Sequence, residues 1–268
     1  MLVWAIAGNI ALLALLALVV ITLDRYSRRF RSRGLVHAKP PIRRASLAEV
    51  DPVFSRARMR DREVLVVGGA MFAGTDTEEA WILAALAKQA RALFEFGTAS
   101  GRTTYLWARN SPADARVITI TLGPDQLARY QMADADSDQD TAIAIDESVF
   151  ETFLYSGTDV EYKVEQLLGD SKYFDDAPYR EQMDVIFIDG SHAYSYVQSD
   201  TAKALRMLRP GGLVLWHDYR GPCHVAGVYR FLNELSRKLP LRWIAGTSLV
   251  CYRKPAEPAG TLATVKAA

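Results

Sequence analysis

The chain has 268 residues, of which 50% are hydrophobic, 24% charged and 10% aromatic, proportions that exclude a disordered chain and a collagen-like repeat. Lys and Arg number 32 against 31 Asp and Glu, so the net charge of +1 gives no case for a nucleic-acid partner. Two cysteines, Cys223 and Cys251, are too few for a disulfide framework or a four-cysteine zinc site.

Residues 1–23 carry no charge, and Asn9 is their only strongly polar side chain. As a helix they would be roughly 35 Å long, enough to cross a hydrocarbon core of about 30 Å. Arg25, Arg28, Arg29, Arg31, Arg33, Lys39, Arg43 and Arg44 follow, with Asp24 the one acid among them. By the positive-inside rule this flank, and the chain after it, is cytoplasmic. A cleaved signal peptide is the competing reading, but it needs its charge before the apolar run. The expected organisation is a single-pass anchor over 1–23, a basic linker with a short helical segment over 24–62, one domain over 63–254 and a loose tail over 255–268.

Residues 45–62 read as a short polar helical segment, and 63–67 as a brief β-branched run closed by Gly68-Gly69. Thr75 or Asp76 can cap a helix that has Glu78 and Glu79 in its first turn and runs to about Ala90. Strands and helices then alternate. Strands are predicted over 92–96, 116–121, 162–168, 184–188 and 213–216, the last preceded by a turn at Pro210-Gly211-Gly212. Helices are predicted over 103–109, from about 194 to 208, and over 225–237. Residues 242–245 and 248–252 read as a terminal hairpin. This order implies an α/β fold with a mostly parallel sheet covered on both faces.

Two stretches carry chemistry. Glu95-Phe96-Gly97-Thr98-Ala99-Ser100-Gly101 ends the first of the alternating strands in a glycine-rich turn, at the edge where open α/β sheets take ligands. No Gly-Lys-Ser/Thr follows, so it is not a P-loop. The second stretch is Asp189-Gly190-Ser191-His192, with Trp216-His217-Asp218-Tyr219 at the end of the next strand. Neighbouring parallel strands would bring Asp189, His192, His217 and Asp218 together, and such a set suits a divalent cation or a general base. The acidic run from Asp134 to Asp140 lacks the glycine and distal glutamate of an EF-hand and reads as a solvated loop beside the ligand edge.

In motif order the chain resembles the class I S-adenosylmethionine-dependent methyltransferases, and within them a branch of bacterial O-methyltransferases that includes macrolide-sugar methyltransferases. The resemblance covers roughly residues 64–253. It rests on the Glu95–Gly101 turn, Leu168-Gly169-Asp170-Ser171, Val185-Ile-Phe-Ile-Asp-Gly-Ser-His192 and Leu208-Arg-Pro-Gly-Gly212 leading to Trp216-His-Asp-Tyr219. It implies a Rossmann-like seven-stranded sheet of order 3-2-1-4-5-7-6 with one antiparallel strand. It implies that Glu95, Gly97, Thr98, Ser100 and Gly101 surround the methionine part of the cofactor, with Asp170 and Ser171 beside the adenine and Asp189 also in contact with the cofactor. It implies metal ligands, for Mg2+, at Asp189 and Asp218, and places His192 where catechol-type enzymes carry a lysine base, so Asp189, His192 and Asp218 are the expected catalytic set.

Two residues depart from the pattern. Tyr219 stands where catechol-type enzymes use an asparagine ligand. Thr121 stands where an acid usually binds both ribose hydroxyls, a loss of about 1–3 kcal/mol unless Asp125 substitutes. The expected function is O-methyl transfer at the cytoplasmic membrane face to a small molecule or lipid-linked sugar; homo-oligomers stay open. The competing readings are a non-catalytic scaffold with this fold, which the departures at Thr121 and Tyr219 motivate, and a nicotinamide enzyme, against which the glycine pattern speaks.

Overall fold

The computed structural model describes Leu16 and residues 19–22, 42–55, 58, 63–66, 77–123, 126, 130–137, 142, 144–145, 148, 150–222 and 225–256. The chain divides into two compact units, residues 1–41 and 42–268. Of the first, Leu16 and residues 19–22 are described, as exposed helix. The expected anchor and basic linker otherwise lie outside the described residues. Among the described residues no helix is long and apolar enough to cross a membrane.

The second unit opens with β1 (Arg43–Ala45), α1 (Leu47–Val50) and a 3-10 turn at Pro52–Phe54. Ser46 and Glu49 form a reciprocal capping box at the start of α1. Residues 63–66 form no strand. Then come α2 (Thr77–Ala87), β2 (Ala92–Phe96), α3 (Arg102–Asn110), β3 (Arg116–Thr121), β4 (Val164–Leu168), β5 (Met183–Ile188), α4 (Tyr194–Met207), β6 (Leu208–Trp216), α5 (Ala226–Leu235), β7 (Arg242–Ile244) and β8 (Val250–Arg253).

The sheet has eight strands in the order β1-β7-β8-β6-β5-β2-β3-β4, which corrects the expected seven-stranded order. The addition is β1, which pairs in parallel with β7 at the sheet's edge inside the stretch expected as linker. Three residues with two arginines give no strand periodicity to read, so it escaped notice. β8 is antiparallel to both β6 and β7, as the terminal hairpin requires. The Pro210-Gly211-Gly212 turn is also corrected: it lies inside β6, where the register against β5 shifts between Met183 and Val185 and Gly211 takes a φ of +79°.

Strand alternation sorts the core into two layers. Leu93, Val117, Val185, Phe187, Leu213 and Leu215 pack against α2 and α3. Phe94, Phe96, Ile118, Ile120, Ile186, Ile188, Val214 and Trp216 pack against α4 and α5. Both faces of the central strands are covered, which is why these strands read as continuous apolar runs.

Candidate active site

The ends of β2, β5 and β6 are laced together by their own backbone. Asp189 N donates to Phe96 O at 2.9 Å, His217 N to Ile188 O at 3.1 Å, and Gly97 N to Ile120 O at 2.8 Å. Gly97 has φ +96°, and a Cβ there would stand 2.3 Å from the Asp189 carbonyl oxygen. Only glycine permits this approach, and it sets the distance between the Glu95–Gly101 turn and the end of the strand that carries Asp189.

The register brings Asp189, His192 and Asp218 together, each offering a ligand atom within 4.8 Å of the others. His192 Nε2 lies 2.9 Å from Asp218 Oδ2. His217 Nδ1 lies 2.8 Å from Asp189 Oδ1 and 3.4 Å from Asp218 Oδ2, and its Nε2 lies 2.9 Å from Glu79 Oε2. Glu79 Oε1 accepts from both Ser248 N, at 2.6 Å, and Ser248 Oγ, at 2.8 Å. Arg220 Nε reaches Asp218 Oδ1 at 2.9 Å. His192 is buried, whereas the Asp189 and Asp218 side chains keep 22% and 16% of their surface, so the cluster opens to solvent through its carboxylates.

The charges settle each other. Burial opposes ionisation of His217, but the Asp189 charge and bonds to Asp189, Asp218 and Glu79 raise it well above its usual value. Burial likewise opposes ionisation of Glu79, but His217 and Ser248 bring it down to about 2. Asp218, despite its burial, is held far below the usual carboxylate range by His192 and His217. Asp218 also takes φ +59°, a strained position for a residue with a side chain, next to the reacting edge.

Beside this cluster runs a cleft with about 520 Å3 of empty space, including that open to solvent. Gly97, Thr121, Asp170, Ser171 and Asp189 of the expected cofactor set line it, together with Ile120, Leu122, Tyr130, Tyr196 and Asp200. Glu95, Thr98, Ser100 and Gly101 are placed elsewhere. Glu95 falls on the α2/α3 side of β2, is 1% exposed, and accepts from the Thr104 and Thr119 hydroxyls. Burial, chiefly, pushes its carboxyl up to about 8, those hydroxyls working against the rise. Thr98 Oγ1 is 2.8 Å from Thr119 Oγ1 and accepts from Gln166. Ser100 O accepts from Leu154 N at 2.9 Å. A Cβ on Gly101 would meet Phe153 and Tyr155 at 3.0 Å, so the space beside it is filled by protein. Tyr219 is buried and its hydroxyl donates to Asn233, away from the carboxylates. Asp125 lies outside the described residues.

Sequence reasoning missed Glu79, Ser248, Tyr130, Tyr196 and Asp200. Glu79 reads locally as a first-turn acid complementing a helix dipole, and only the packed fold shows α2 laid against the sheet's ligand edge.

Residues 94–219 match the family model described as a methyltransferase domain. That stretch holds the cleft and the strand ends that carry Asp189 and Asp218, and over it the chain is similar to S-adenosylmethionine-dependent methyltransferases. No curated protein matches it. Among solved structures it is similar to an O-methyltransferase, TomG, from Streptomyces achromogenes involved in tomaymycin synthesis and solved in complex with S-adenosylmethionine, at 20% identity over 69% of this chain and 82% of that one, with a TM-score of 0.46. It is also similar to a methyltransferase from Geobacter sulfurreducens, at 16% identity over 87% and 96%, with a TM-score of 0.46. These likenesses are remote, and no functional conclusion rests on them. The lining of the cleft suits the methyl donor: apolar surface from Ile120 and Leu122, and the acids Asp170, Asp189 and Asp200.

Proposed function

We propose that the chain is an O-methyltransferase whose acceptor is a hydroxyl, on a small molecule or a lipid-linked sugar, met at the cytoplasmic face of a membrane. The observation that carries the chemistry is the convergence of Asp189, His192 and Asp218 beside the cleft. S-adenosylmethionine supplies an electrophilic methyl group, and what the protein must add is an acceptor oxygen held in line and relieved of its proton. His192 takes that proton. Asp218, 2.9 Å from its Nε2, holds the ring and stabilises the imidazolium that forms. Arg220 and His217 keep Asp218 ionised for this task, and Glu79 with Ser248 fixes His217 from behind.

Asp189 and Asp218 would also hold a divalent cation such as Mg2+, which there would supply Lewis acidity to the acceptor oxygen, with His192 kept for the proton. Tyr219, turned into the core, does not supply a third ligand. The membrane setting is supported by the uncharged run 1–23 and the basic flank after it.

The test uses the full chain in membranes, with radiolabelled methyl donor and membrane extract as acceptor. His192→Ala and Asp218→Ala should lose transfer while still binding S-adenosylmethionine. Transfer that survives a chelator but not His192→Ala removes the cation. Transfer indifferent to both substitutions sinks the assignment, and binding with no transfer to any acceptor favours the scaffold reading. Release of the chain by carbonate would refute the anchor.

A further inference from the structure

The acidic run that the sequence presents as a solvated loop is tied down at one point. Asp134 is exposed, but Asp136 is half-buried against the start of α4. Its Oδ1 accepts from Ser195 N at 2.8 Å, and its Oδ2 from Ser195 Oγ at 2.6 Å and Ala133 N at 2.8 Å. The N-cap residue of α4 is Ala193, which has no side-chain oxygen, so an acid 59 positions before Ser195 caps the helix instead. Burial works against its ionisation, but the Ser195 and Ala133 bonds prevail and hold the Asp136 carboxyl below its usual value, so the tie is a charged one.

The residues just before it join two elements that line the cleft. Tyr130 is part of the lining; its ring stacks on Tyr196 of α4 at 4.5 Å, and its hydroxyl is 2.6 Å from Ser191 Oγ. Gln131 is held by the loop after β4, its carbonyl oxygen accepting from Lys172 Nζ at 2.7 Å and its Oε1 from the Tyr173 hydroxyl at 2.7 Å. Asp170 and Ser171 of that same loop line the cleft. Residues 131–135 are exposed, so hydrogen bonds rather than buried apolar surface hold them down, and such a segment opens at far lower cost than the core.

We propose that residues 130–136 are a latched strap over the cleft, with Asp136 as the latch, and that a ligand enters and leaves when the latch opens. The inference rests on the S-adenosylmethionine reading of the cleft and adds the step that controls exchange of the methyl donor for its spent product. The latch is made wholly within the protein, so removing it favours the open form of the empty and of the loaded chain alike. Entry and release then quicken together. A fixed wall behaves differently: removing it costs contacts with the bound ligand and shows mainly in release.

The experiment measures uptake and release of radiolabelled S-adenosylmethionine by the full chain in detergent, using rapid filtration, with release started by excess unlabelled ligand. Asp136→Ala should raise both rate constants by about tenfold or more, the worth of the charged bonds it removes, and leave the dissociation constant within about threefold. Tyr173→Phe keeps the ring and removes the bond to Gln131 at the other end of the strap, away from α4. It should raise both rate constants by a smaller factor, and it carries the test if Asp136→Ala does not fold. Release that quickens alone, with affinity falling in step, would overturn the gate and leave Asp136 as a cap of α4. Rate constants unchanged in both variants would overturn it while leaving the methyltransferase reading intact. A wild type that takes up no S-adenosylmethionine would overturn both.

Discussion

Glu95 offers the sharpest check on the packing around the first strand. The carboxyl is fully enclosed, bound by the Thr104 and Thr119 hydroxyls, and its proton affinity is raised from 4.5 to about 8, burial being the largest cause. In the unfolded chain the same group releases its proton near 4.5. Between those two values the native state holds a proton that the unfolded state has lost, so stability falls as pH rises and levels off above 8. Each tenfold change in proton affinity is worth about 1.4 kcal/mol, so this one group withdraws up to about 5 kcal/mol between pH 4 and pH 8.5. Glu95→Gln keeps the shape and an oxygen for both hydroxyls and has no proton to lose. The variant and the wild type should melt within about 3 °C of each other at pH 5, near 1 kcal/mol for a domain of this size. At pH 8.5 the variant should melt roughly 10 °C higher. Thermal melts of the full chain in detergent at the two pH values measure this directly, since every other titration is shared and cancels in the difference. Parallel pH profiles would refute the buried, neutral carboxyl. A variant less stable at both pH values would show instead that Glu95 is ionised and held by a donor.

Two further substitutions probe the same edge of the sheet. Gly97→Ala should cost at least about 2 kcal/mol and lower the melting temperature, because its methyl would meet the Asp189 carbonyl at 2.3 Å from a backbone at φ +96°. Glu79→Ala strips His217 of one buried carboxylate and leaves the Ser248 donors unmet, so it should cost about 3–5 kcal/mol, while Glu79→Gln, which can still accept from Ser248, should cost less. Urea or thermal melts read both.

How far the sequence carried the reading follows from what is local and what is not. The central strands were legible because each is an apolar run bounded by polar turns, and their order was what the family resemblance implied. Asp189, His192, His217 and Asp218 were legible because two motifs on adjacent parallel strands must end side by side. Gly97 was legible as a close approach, although the approach is to the Asp189 backbone and serves the ligand only at second hand. Glu95 shows the limit of motif spacing. It sits one residue before the strand's last position, and the two-residue period sends it to the α3 face, where threonines receive it.

The residues that stayed hidden act across long separations. Glu79 precedes His217 by 138 positions, and nothing in the sequence of α2 distinguishes it from Glu78, one position earlier and exposed. Asp200 is a similar case: within α4 it looks like one more polar residue, and only the packed helix shows it lining the cleft. The departure at Thr121 then takes on a different weight. An acid missing from the end of β3 removes one anchor for the ligand's polar groups, and Thr121 lines the cleft in its place. The measurable consequence is that Thr121→Asp, which restores a carboxylate to the cleft lining, should tighten the binding of S-adenosylhomocysteine, and unchanged affinity in calorimetry would refute the missing anchor.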